Sequence, residues 1–224
     1  MQNVLFKDLG LIEYSAAWEY QQTLLSEMQS AKKENAEVNG HLLFCEHPHV
    51  YTLGKSGSKE NLLINENSLK EKGASFFKID RGGDITYHGP GQIVGYPIID
   101  LNSFNMGVKE YVFKIEETII RTVKEYGIMA ERLPGATGVW LDTKSKKVRK
   151  ICAIGVRVSR GITMHGFAFN VNTDLNYFNY INPCGFTDKS VTSIQKELGK
   201  NIDIEEVKQK AKTQMAEVFG MNFI

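Results

Sequence analysis

The amino-acid sequence predicts an α+β fold, a single domain over residues 1–224 with a mixed or antiparallel sheet flanked by helices. Three observations predict it. Segments of helical period stand near the start, the middle and the end of the chain. Strand-like runs come in groups between them, not in strict alternation with helices, which argues against a wholly parallel sheet. No linker, repeat or composition shift divides the 224 residues, enough for one sizeable core.

Each element has its own warrant. Tyr14, Ala17, Trp18, Gln21, Leu25 and Met28 recur at helical spacing. His41–Cys45 reads as a strand, and 61–73 as a loop with a short helix. Ser75–Ile79 and Gln92–Ile99 are further strand runs. Tyr111, Val112, Ile115, Ile119, Val123 and Tyr126 mark a second helix more clearly. Gly138–Asp142 and Val148–Val158 are strand-like, joined by a turn at 144–150 that holds five basic residues in seven. Met164–Val171 is the last strand run. Asp203 with Glu206 three residues on forms a capping-box pattern, followed by the apolar stripe Val207, Ala211, Met215, Val218 and Phe219.

Composition narrows the function. Lys plus Arg (27) balances Asp plus Glu (26), so nothing in the charge calls for nucleic acid or a membrane surface. Three cysteines argue against a disulfide framework and suit a reducing cytosol. Met1–Asp8 carries no basic segment followed by an apolar one, and no apolar run reaches membrane-spanning length. The expectation is a cytoplasmic protein, taken as a monomer.

The densest chemistry lies in Arg81-Gly82-Gly83-Asp84-Ile85-Thr86-Tyr87-His88-Gly89-Pro90-Gly91-Gln92. Glycines here allow close approach to a ligand, and His88 adds a titratable group. The segment reads as the floor of a binding site. Among the cysteines, Cys45 and Cys152 sit in apolar runs and read as core residues. Cys184, in Asn182-Pro183-Cys184-Gly185, sits among turn formers that leave a thiol reachable and amides free for an oxyanion. It is a candidate nucleophile, with an incidental loop cysteine as the alternative. Strand alternation from Val148 puts Lys150 on the face of Cys152, Ile154 and Val156, with Arg149 and Arg157 opposite. An inward lysine could take the thiol proton or hold the thiolate; a bulge turning Lys150 to solvent is the alternative.

His88 or His165 could instead activate Cys184, although His165 reads more naturally as a structural histidine. Cys45-x-His47-x-His49 offers three metal ligands without an evident fourth, so no metal site is expected. Neither a phosphate loop nor a dinucleotide-binding glycine pattern is present in the sequence.

Four motifs in order resemble one family. They are Arg81-Gly82-Gly83-x-x-Thr86-Tyr87-His88-Gly89-Pro90-Gly91-Gln92, Lys150-Ile151-Cys152-Ala153-Ile154-Gly155-Val156-Arg157, His165-Gly166-Phe167-Ala168-x-Asn170-Val171 and Ile181-Asn182-Pro183-Cys184-Gly185. Together they resemble the lipoate biosynthesis protein B family of octanoyl-[acyl carrier protein]:protein octanoyltransferases. The resemblance implies the biotin/lipoate protein ligase fold. It implies that Cys184 carries an acyl thioester and that Lys150 lowers its pKa. It assigns Arg81, Gly82, Gly83, Asp84, Ile85, Thr86, Tyr87, His88, Ala153, Ile154, Gly155, Gly166, Phe167 and Ala168 to the acyl substrate. Tyr87, Ile154 and Phe167 are expected to build part of an apolar tunnel.

The implied donor is acyl carrier protein. The implied acceptors are lipoyl domains of 2-oxoacid dehydrogenase E2 subunits and the glycine cleavage H protein, with no cofactor beyond the donor's phosphopantetheine. Lys144, Lys146, Lys147 and Arg149 could dock the acidic carrier. The alternative is an ATP-dependent lipoate or biotin ligase of the same fold; a thioesterase and a non-catalytic lipoyl-domain binder are more distant rivals.

Overall fold

The computed structural model of the chain describes residues 1–182 and 190–224. In chain order the first elements are β1 (Gln2–Leu11), α1 (Tyr14–Lys33), β2 (Gly40–Glu46), β3 (Val50–Leu53), α2 (Glu66–Glu71) and β4 (Ser75–Lys78). Next come β5 (Ile85–His88), β6 (Gln92–Ile98), α3 (Val108–Lys124), β7 (Glu131–Leu133), β8 (Ala136–Leu141) and β9 (Arg149–Ser159). The chain closes with β10 (Ile162–Asn170), β11 (Ser190–Val191), α4 (Ile194–Leu198), α5 (Ile204–Phe219) and β12 (Met221–Phe223).

The larger sheet runs β12-β1-β2-β6-β10-β9-β8-β7, with β11 also paired to β9. β1 is parallel to both β12 and β2, and β11 is parallel to β9, whereas the pairs from β2 across to β7 are antiparallel. A smaller sheet, β4-β3-β5, stands beside it. The mixed sheet flanked by helices is the predicted class. β1 to β2 is a parallel connection, and α1 supplies the crossover that such a pair needs.

The strands at the centre are buried on both faces, and their alternation sorts side chains into two layers. Leu42 and Phe44 of β2 meet Tyr111, Ile115 and Ile119 of α3 and Val207, Ala211 and Met215 of α5 within one core. Leu43 and Cys45 face the other way, with Val94, Ile98 and Met164, against Ala17, Leu24 and Met28 of α1. A third cluster, including Tyr51, Leu53, Ile85, Tyr87 and Ile181, fills the smaller sheet's own layer.

Capping fixes the last long helix. Asp203 accepts a hydrogen bond from the Glu205 amide at its start, and Gly220 ends it at φ 70. Glu206 does not bond back to the cap residue. It accepts from Tyr126 at 3.2 Å and pairs with Lys210 at 3.0 Å, so only half of the expected box forms.

Candidate functional site

A cavity of about 540 Å3 opens between β9 and the segment that leads into β5. Arg81, Gly82, Gly83, Asp84, Ile85 and Thr86 line one side; Lys150, Ala153, Ile154 and Gly155 line the other. Val112, Trp140 and Phe178, from elements distant in sequence, complete its apolar wall. A second chamber of about 50 Å3 shares Arg81, Thr86, Ala153, Ile154 and Gly155 with the first. His88, Gly166, Phe167 and Ala168 line it, together with Tyr14, Tyr96 and His165.

Glycine brings the two walls together. The Gly82 amide donates to the Val156 carbonyl at 2.9 Å, which straps the segment onto β9. A Cβ on Gly155 would lie 2.9 Å from the Gly82 carbonyl oxygen and 3.0 Å from Arg81 Cδ, so a side chain there would lift the strap. Arg81 is buried and donates to the Thr52 carbonyl at 2.7 Å and to Thr52 Oγ1 at 3.0 Å, tying the strap to β3. Asp84 accepts from Asn61 Nδ2 at 2.7 Å and from the Ile85 amide at 2.6 Å, which shapes the entry into β5.

Strand alternation in β5 then divides the motif. Thr86 and His88 face the chambers, and Tyr87 between them points the opposite way. Tyr87 is fully buried in the small sheet's layer, stacked on Tyr177, with its hydroxyl 2.7 Å from His49 Nδ1. The expectation that Tyr87 lines the acyl tunnel is therefore corrected: it supports the wall from behind. Ile154 and Phe167, its expected companions, do line the chambers.

Lys150 reaches the cavity by a route that simple alternation did not foresee. Val139 pairs with Cys152, but Trp140 pairs with Lys150, so the register shifts and Ile151 is an extra residue. In an unbroken ladder Trp140 would oppose Ile151, and Lys150 would share the core face with Cys152. The bulge instead sends both Ile151 and Cys152 into the core and turns Lys150 onto the cavity face. The expected sharing of a face by Lys150 and Cys152 is thus corrected, and the bulge directs Lys150 to the site rather than to solvent. Its Nζ lies 4.4 Å from the centre of the Trp140 ring. Its stem passes over Gly138, whose φ of +122 only glycine adopts readily; a Cβ there would lie 2.6 Å from the Cys152 carbonyl oxygen.

Burial sets the electrostatics of the inner chamber. The His88 imidazole is pushed down to about 3 by desolvation, and it donates from Nδ1 to Gln92 Oε1 at 2.8 Å. Desolvation likewise takes His165 down to about 4, against the pull of Asp80, to which it donates at 2.9 Å. Both rings are neutral at physiological pH. His165 also holds a positive φ of 60 inside β10, uncommon for a residue with a side chain. Cys45 and Cys152 are fully buried and burial pushes both thiols upward, so they are core residues and not nucleophiles. His47 donates to the Ile12 carbonyl at 2.7 Å and contacts Tyr96, while His49 turns to Tyr87 and Tyr177.

Cys184 lies outside the described residues. Of its described flanks, the later one lines the cavity and the earlier one is tied to the cavity wall through Asn61. The Asn182 amide donates to the Asn61 carbonyl at 2.8 Å, next to the Asn61–Asp84 contact. Ser190 lines the cavity; Ser190 and Val191 pair with Arg149 and Lys150, and the Thr192 amide donates to the Lys150 carbonyl at 2.9 Å.

Comparison with known proteins bears on this geometry. A sequence model of the lipoyl protein ligase A/B catalytic domain matches residues 13–216. An octanoyltransferase of Bacteroides fragilis is 56% identical over 203 residues, 91% of this chain and 92% of that protein. An octanoyltransferase of Christiangramia forsetii is 53% identical over 225 residues, covering 97% and 96%. Among solved structures, a bipartite lipoate protein ligase with its E2 lipoyl domain from Thermoplasma acidophilum matches with a TM-score of 0.71. Its sequence identity is 16%, covering 100% of this chain and 85% of that one, a likeness of fold alone.

Proposed function

The chain belongs to the lipoyl protein ligase A/B catalytic-domain family, and on that premise we propose that it is an octanoyltransferase working through a cysteine thioester. The observation that carries this reading is the placement of Lys150 on an apolar cavity, paired in the sheet with Val191 shortly after the Cys184 segment. The relatives at 53–56% identity support transfer over ATP-dependent ligation.

The reaction has two halves. The Cys184 sulfur attacks the thioester carbonyl of an octanoyl-carrying acyl carrier protein, and Lys150 takes the thiol proton. The tetrahedral oxyanion collapses, and the carrier's phosphopantetheine thiol leaves with a proton. A lysine amine of a lipoyl domain then attacks the new thioester, and Lys150 accepts its proton. An amide forms and the Cys184 thiol returns. Backbone amides of the Arg81–Asp84 segment are candidates to hold the oxyanion. Exchange between thioesters is nearly isoenergetic and amide formation is downhill, so the chemistry needs neither ATP nor a further cofactor.

Specificity follows from burial. About six methylenes at about 0.8 kcal/mol each give about 5 kcal/mol for recognising an octanoyl chain. Ile85, Ile154, Val156 and Trp140 supply the surface. The acceptors are lipoyl domains of 2-oxoacid dehydrogenases and the glycine cleavage H protein. The site of action is the cytoplasm; among the described residues no helix is long and apolar enough to cross a membrane.

Purified protein, octanoyl carrier protein and an apo lipoyl domain, mixed without ATP, should give the octanoyl-amide domain. Transfer that occurs only with ATP would favour the ligase, and release of free octanoate without amide would favour a thioesterase.

A further inference from the structure

We propose that Trp140 is a positioning residue for the reaction, its indole face holding Lys150 at the cavity wall, most strongly once the amine has become an ammonium by taking the thiol proton, through the cross-strand pair that the Ile151 bulge creates. The inference rests on Lys150 being the proton carrier proposed above, and it assigns the device that keeps that group in place.

Four observations carry it. Trp140 and Lys150 are direct partners across β8 and β9 only because Ile151 is skipped, and both line the same cavity. The Nζ lies 4.4 Å from the ring centre, within the range of cation–π attraction. The indole cannot turn away: it is 2% exposed, and its Nε1–H donates to the Ala136 carbonyl at 2.9 Å. The lysine stem runs over Gly138, whose amide is held by Glu116 at 3.0 Å while Arg132 holds the other oxygen of that carboxylate at 3.1 Å. A lysine on a flexible four-carbon stem otherwise loses much rotamer freedom on being fixed. An aliphatic residue would fill the same space, but it would offer the ammonium no negative face.

A double-mutant cycle separates positioning from mere packing. Trp140→Leu should slow octanoyl transfer roughly 10-fold in the native protein, with the loss falling mainly on kcat rather than on KM for the carrier. Trp140→Phe, which keeps an aromatic face, should recover part of that loss. In a Lys150→Met background the same Trp140 substitutions should change little. Equal losses in both backgrounds would overturn the proposal.

A second readout is independent of activity. The chain holds two tryptophans, so a Trp18→Phe protein leaves Trp140 as its single indole. Lys150→Met should then alter its emission, and unchanged emission would overturn the contact. If Lys150→Met leaves transfer at the native rate, it is the proton-carrier assignment that fails, whatever the emission shows.

Discussion

Acid should destabilise this protein well above the carboxylate range, and the reason is its histidines. All five are pushed below the ordinary imidazole value, each chiefly by burial. Three are deep enough to matter: His47 at about 4, His88 at about 3 and His165 at about 4. Because the folded value lies below the unfolded one, the unfolded chain takes up the proton first. The stabilisation is complete above about pH 6.5 and is lost as pH falls toward the folded values. At pH 5 an unfolded imidazole is nearly all protonated, and these three are nearly all neutral in the folded state. That difference is a factor of about 30, or about 2 kcal/mol for each ring and about 6 kcal/mol for the three. A domain of this kind has about 5–15 kcal/mol in total. Glu117, held low by Arg121 and Arg132, and Glu197, held low by Arg149, lose their contributions only below about pH 4.5, so they do not enter this window. Urea unfolding followed by circular dichroism at pH 7.5 and pH 5.0 measures the effect. His47→Gln, whose ring lines neither chamber but touches Tyr96 and His88 behind the inner one, should make the pH dependence about one-third shallower. Equal unfolding free energies at the two pH values would refute the burial argument.

Three further outcomes follow from the site. A Cβ on Gly95 would lie 2.2 Å from the Phe167 ring, which packs against Phe44 in the core, so Gly95→Ala should shift that ring against its cross-strand partner Ile154 on the chamber wall; kcat/KM measured from butanoyl to decanoyl should then peak at a shorter chain than in the native protein, and an unmoved optimum would separate Phe167 from chain-length selection. Gly138→Ala should cost roughly 1–3 kcal/mol in thermal unfolding, because φ +122 is strained for any side chain, and it should slow transfer by displacing the Lys150 stem. Lys144, Lys146 and Lys147 are exposed on the turn before β9; reversing all three to Glu should raise KM for an acidic carrier and flatten its salt dependence, and unchanged values would remove that turn from docking.

Much of this was legible in the sequence, because long periodic segments report themselves. The helices around Tyr14, Tyr111 and Val207 fall where the spacing puts them, and β2, β6, β8, β9 and β10 lie within a few residues of their apolar runs. Of the short elements, β4 and α2 fall in the strand run at 75–79 and the short helix expected within 61–73, but others were not visible. β3 and β5 have four residues each, and β5 hides inside a glycine-rich motif that reads as a loop. β1 becomes a strand by pairing with β2 on one side and on the other with β12, from the opposite end of the chain, long-range events that local pattern cannot report. The site followed the same logic. Motif residues gave most of the two walls, whereas Val112 and Phe178 enter from elements that carry no motif. Trp140 was within reach: in Gly138–Asp142 it alternates with the core residues Val139 and Leu141, so it had to face the other side. Alternation failed where the ladder itself slips, at Ile151, and nothing in the composition of β9 announces that bulge. The expectation for Tyr87 failed for another reason: β5 reads as a loop in sequence, so the alternation by which one tetrapeptide feeds two layers was not visible.

The central claim is that Cys184 carries the acyl group between donor and acceptor. Intact mass of the protein after mixing with octanoyl carrier protein tests it directly. The account predicts one octanoyl addition, mapped to Cys184, absent from Cys184→Ser, and discharged on adding an apo lipoyl domain. Transfer at the native rate with no adduct, or with the adduct on another residue, would contradict it.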